Sequence, residues 1–123
     1  MFNAKWSGSM KMRIVVLSAV VGLTFAVGAS AAGNPAVRDM MGNSDCFACH
    51  AVDHAGVGPS FKDVAARYHG AAAPTATVAK LAEKVINGGN GSWNAQTGGM
   101  AMTPHPQLSK AQATQMVQWV LAQ

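Results

Sequence analysis

The sequence predicts an all-α fold, and three observations carry the prediction. No stretch alternates apolar and polar residues at the two-residue period of a half-buried strand. Two segments place their apolar residues at the helical period instead: Val78, Leu81, Ala82 and Val85, then Ala113, Met116, Val117, Val120 and Leu121. Around them the chain is punctuated by glycine, proline and asparagine, the residues of turns and helix ends.

The N-terminal segment stands apart. Lys5, Lys11 and Arg13 form a basic region without an acid, and Ile14 to Val27 is an almost wholly apolar run of 14 residues. Ala29-Ser30-Ala31 follows as a small-residue cleavage site, so residues 1–31 read as a secretory signal peptide. The run is short of the roughly 20 residues that span a bilayer, which favours cleavage over a retained anchor. Met10 or Met12 would serve equally well as the start. Residues 32–123 then form one small domain. The signal holds three of the nine basic residues and none of the five acids. The formal charge of +4 and the pI of 9.4 therefore belong largely to it. The remainder is nearly neutral, which implies no nucleic-acid partner and, after cleavage, no membrane span.

In the domain, Pro35 suits a first helical turn, and a helix is expected from there to Met41, ending at Gly42. A turn from Asp45 to His50 and a Gly56-Val57-Gly58-Pro59 loop follow. Phe61 to Tyr68 reads as a short helix closed by Gly70. Thr77 and Gly88 are the expected N-cap and C-terminal stop of the next helix. Gly88 to Leu108 is rich in Gly, Asn, Thr and Pro and reads as loop, of a length that is usually functional. Ser109 and Gln112 make a capping box in front of the last helix.

Cys46-Phe47-Ala48-Cys49-His50 contains the only two cysteines and is the attachment signature of c-type haem. Positions i, i+3 and i+4 share one helical face, so both thiols reach one haem edge while the imidazole points at the iron. A structural zinc site needs four ligands, and only His50 and His54 have finger-like spacing; His69 and His105 do not extend the set. A thioredoxin-like dithiol belongs beside a βαβ pattern, which is missing. A disulfide closing so small a loop contributes little loop entropy. Export agrees with the haem reading, because c-type haem is attached outside the cytoplasm. A domain of this size has little core of its own, so the apoprotein is expected to fold poorly.

The second axial position decides between electron carriage and ligand chemistry. Met116 lies on an apolar helical face, and Met40 and Met41 sit too close to the haem turn. Met100 and Met102 remain, between glycines that permit close approach and the stiffening Pro104 and Pro106. Residue chemistry does not choose between these two.

From Asn34 to Gln123 the chain resembles the small class I bacterial cytochromes c of the c-551 (c8) type. The resemblance rests on the haem motif, Val57 through Ala66, Ile86-Asn87-Gly88-Gly89, Trp93, Ala101-Met102-Thr103-Pro104 and Trp119-Val120-Leu121. It implies the class I cytochrome c fold: four to five short helices around one covalent haem c, with the N- and C-terminal helices packed together through Trp119. It implies Met102 as the distal ligand, Pro59 as acceptor for the proximal imidazole, and Lys84 and Trp93 beside a haem propionate. The Trp93–Met102 loop is longer than the family pattern, Thr103 replaces a proline, and His105 stands where an asparagine supports the methionine sulfur. His105 is thus a candidate for tuning Met102 or ligating iron. His54 and His69 read as surface residues, and Lys62 and Arg67 as solvated.

The expected function is that of a monomeric, periplasmic, monohaem electron carrier with His50/Met102 ligation and no substrate chemistry. Its partners would be transient redox donors and acceptors, respiratory or denitrification enzymes among them. The alternatives are a haem c subunit held in a larger oxidoreductase, a ligand-binding or catalytic haem protein with an open distal site, and a thiol–disulfide oxidoreductase.

Overall fold

The computed structural model describes residues 33–123; the expected signal peptide, residues 1–31, lies outside the described residues. Asn34 starts the first helix, its side chain accepting from the Ala36 amide at 3.1 Å with Pro35 in the first turn. This helix, α1, spans Pro35–Asn43 and runs through Gly42 rather than stopping there. The Ser44 and Asp45 amides still bond the Met41 and Gly42 carbonyls, each at 3.2 Å. The left-handed residue that reverses the chain is Asp45, at φ 60°. The single turn α2, Cys46–Cys49, follows at once.

Ser60 caps α3 (Phe61–Arg67) by accepting from the Asp63 amide at 3.0 Å. His69, at φ 68°, and a 3₁₀ turn at Gly70–Ala72 lead into α4, Thr75–Asn87. Its N-cap is Pro74, not the expected Thr77, because the Thr77 amide is already bonded to the Pro74 carbonyl at 2.9 Å. Gly88 ends α4 as expected. The following loop contains a single helical turn, α5 (Asn94–Thr97), and an antiparallel bridge between Gly89 and Met102. The capping box at Ser109 and Gln112 is fully formed, and α6 spans Lys110–Leu121. Of the six α-helices among the described residues, α2 and α5 are one turn each, and no strand occurs there. No helix among them is long and apolar enough to cross a membrane.

The last helix is the spine, packing on α1, α3 and α4. One core cluster joins Val37 and Met41 of α1 to Phe61, Leu108, Met116 and Trp119, which is the expected pairing of terminal helices. The other joins Ala82 of α4 to Ala113, Val117 and Leu121. Both alanines are 0% exposed, and their small size lets α4 and α6 approach closely. Phe47, Phe61 and Trp119 meet edge to face, with centroids 5.8–6.3 Å apart, and tie α2, α3 and α6 together. Such pairs contribute about 0.5–1.5 kcal/mol each beyond their burial.

Candidate haem site

The left-handed Asp45 turns the chain from α1 into α2 and sets Cys46 and Cys49 on one helical turn. Both thiols are unpaired and half-buried. Burial pushes the Cys46 thiol up in pKa, and the neighbouring Asp45 and Cys49 charges add to the rise. A dithiol oxidoreductase needs the opposite, a depressed thiol that attacks as thiolate.

His50 leaves α2 in extended conformation. Its Nδ1 lies 2.7 Å from the Pro59 carbonyl oxygen. A carbonyl only accepts, so Nδ1 carries the proton and Nε2 presents its lone pair. The loop between them is laced back onto the motif: the Gly58 amide donates to the Cys49 carbonyl at 2.9 Å, and the Phe61 amide to Ala51 at 2.9 Å. Gly58 leaves space for the imidazole, because a Cβ there would lie 2.8 Å from Nδ1 and 3.0 Å from Nε2.

A second segment, the strap Met102–His105, is fastened to the end of α4. Met102 and Gly89 exchange both amide-to-carbonyl hydrogen bonds at 2.9 Å, and the His105 amide donates to the Ile86 carbonyl at 2.9 Å. The strap lies so close to the end of α4 that a Cβ on Gly88 would stand 2.7 Å from the Pro104 nitrogen. Met102 is half-buried, whereas Met100 is 60% exposed. Met41 and Met116 are core residues at 1% and 2% exposure, with Met40 packed against the same cluster.

His105 is half-buried, with Nδ1 3.2 Å from the Val85 carbonyl. In this structure the residue fastens the strap to the C-terminal carbonyls of α4. Lys84 donates from Nζ to the Asn90 carbonyl at 3.3 Å. Trp93 packs edge-on to Tyr68 at 6.5 Å, and the Arg67 guanidinium covers its ring at 4.4 Å while bonding the Ser92 carbonyl. Arg67 is exposed, as the sequence reading expects, and also holds the Trp93 loop. No spacing rule links positions so far apart. His54 and His69 are exposed, and His54 bonds Asp53 at 2.8 Å. No group of three potential metal-ligating side chains occurs among the described residues.

The donor set fits a c-type haem. It combines two free thiols on one turn, an imidazole with Nδ1 engaged, a glycine that leaves that ring room, and a thioether on a hydrogen-bonded strap. Fold and site thus define a small helical haem protein. The family model for cytochrome c matches residues 35–123. Cytochrome c-551 of Azotobacter vinelandii is 45% identical over 76 residues, covering 62% of this chain and 83% of that one. Cytochrome c-551 of Pseudomonas aeruginosa is 41% identical over 81 residues, covering 66% and 70%. The crystal structure of Nitrosomonas europaea cytochrome c552 superposes with a TM-score of 0.58 at 36% identity, covering 68% of this chain and 95% of that one. The chain belongs to the cytochrome c family, as a class I cytochrome of the c-551 type: an electron carrier with covalently bound haem c, not an enzyme.

Proposed function

We propose that the chain works in the periplasm, after removal of residues 1–31, as a monomeric one-electron shuttle. In this reading Cys46 and Cys49 form the thioethers and His50 and Met102 are the axial ligands. The haem supplies the one-electron couple. The protein supplies two fixed ligands, so that a change of charge is accompanied by little change of geometry. Pro59 orients His50 and raises its basicity by accepting from Nδ1. A thioether opposite the imidazole favours a high potential. In the same reading, Lys84 and Trp93 pair with a haem propionate, as the resemblance implies. Respiratory or denitrification enzymes would dock transiently, through small interfaces of low affinity.

The observation that carries the ligand assignment is the contrast between the two methionines. Met102 is half-buried and bonded to Gly89 in both directions, while Met100 stands 60% exposed on the loop outside that bridge. The test compares Met102→Ala with Met100→Ala. Met102→Ala is expected to keep its haem, bind carbon monoxide when reduced, and lose potential on the order of 100 mV, within the roughly 0.8 V that axial ligands command. Met100→Ala should leave both properties unchanged. The reverse pattern would overturn the assignment. Export is checked separately by the mass of the purified protein, expected to begin at Ala32.

A further inference from the structure

The hydrogen bond from Nδ1 of His50 to Pro59 fixes one point of the imidazole. It leaves the ring free to rock about that contact, since the ring torsion of histidine is soft. A second restraint is present. The Phe61 ring stacks on His50, with centroids 5.4 Å apart and planes inclined by 21°. Phe61 itself has little freedom. It is 4% exposed, and its ring is gripped edge-on by Phe47 and Trp119, each at 5.8 Å. Its amide is tied to the Ala51 carbonyl at 2.9 Å, and the Ser60 cap fixes the start of α3.

We propose that Phe61 is a positioning residue that sets the rotation of the His50 imidazole plane. The proposal rests on the reading of His50 as the proximal ligand. Pro59 and Phe61 lie two positions apart at the start of α3, so one rigid segment holds the imidazole by its edge and by its face. Through Trp119, which is 2% exposed, this segment is braced on α6. The packing of the terminal helices thereby reaches the ligand plane. In low-spin ferric haem the axial imidazole plane, together with the orientation of the second axial ligand, determines how the unpaired spin spreads over the macrocycle, so its rotation is readable apart from any electron-transfer activity.

The test measures the hyperfine-shifted haem methyl resonances and the g-anisotropy of the oxidised holoprotein. Phe61→Leu removes the stack at modest cost in volume, and Phe61→Tyr keeps it. Val117→Ala, in the other core cluster, lowers stability without touching the stack. Phe61→Leu should redistribute the methyl shifts, whereas Phe61→Tyr and Val117→Ala should keep the wild-type order and spread. Should Phe61→Leu not retain haem, Phe61→Met refills the same volume with a flexible chain and reads the same quantity. Wild-type methyl shifts in the variant lacking the stack, or an equal change in Val117→Ala, would overturn the proposal. A wild-type ferric protein without low-spin imidazole signals would overturn the His50 assignment first, and this inference with it.

Discussion

At Gly58 the missing side chain lets the His50 ring lie against the backbone, with the Pro59 carbonyl one residue further on. Gly58→Ala should push the imidazole off that carbonyl, cost about 1–3 kcal/mol as overpacking does, and lower the potential. A thermal melt beside a redox titration reads both effects. Asp45 poses the opposite case, a residue with a Cβ held at φ 60°. Asp45→Gly should relieve strain and stabilise the holoprotein by about 1 kcal/mol, seen as a raised midpoint in denaturant. Cys46, Cys49 and His50 stand out in the sequence because c-type haem attachment demands that spacing. Pro59 was legible only by resemblance. The stack of Phe61 on His50 and the cover of Arg67 on Trp93 were not legible at all, because such contacts are made by chain reversal.

Helix starts with a side-chain cap and an amphipathic pattern were read correctly, as at Ser109, where both halves of the capping box form. Ser109→Ala should cost about 1 kcal/mol, or roughly 4–8 °C in Tm for a domain of this size, with the optical spectrum unchanged. Two ends were misplaced for identifiable reasons. Gly42 is compatible with continued helix, and Pro74 presents its carbonyl to Thr77 before Thr77 can act as a cap. The turn α5 escaped notice because four polar or small residues between glycines carry no periodicity. The reciprocal bond between Gly89 and Met102 is equally silent in sequence, since it is made by backbone alone. Gly88 shows how tight that junction is. At φ 65°, with strap backbone within 3.0 Å of a would-be Cβ, Gly88→Ala should cost about 2 kcal/mol or more and loosen the strap. Faster carbon monoxide binding to the reduced protein is the readout, and an unaltered rate would mean that the bridge does not hold Met102.

On the scale of the whole molecule, α6 braces two small clusters, one toward α1 and α3 and the other toward α4. The haem motif joins the first cluster and the Met102 strap is fastened to α4, so a haem held between them would link both halves of the core. A protein of this size has little apolar surface to spare, and a tethered haem would add apolar surface to bury and iron–ligand bonds completed only on folding. Cys46→Ala/Cys49→Ala, which cannot hold haem covalently, should therefore show weak helical signal in far-UV circular dichroism; a cooperative, fully helical apoprotein would refute this dependence. The all-α class was legible from periodicity, and the terminal helix pair from resemblance. The meeting of α4 and α6 through Ala82 and Ala113 was not, because small buried residues leave little pattern. The central claim, His50 and Met102 on one covalently attached haem, is tested most directly by the optical spectrum of the purified protein, oxidised and then reduced. Sharp reduced α and β bands, together with the weak far-red ferric band of sulfur on iron, are the expected result. A c-type haem spectrum lacking that far-red band would contradict it and place another ligand, or none, opposite His50.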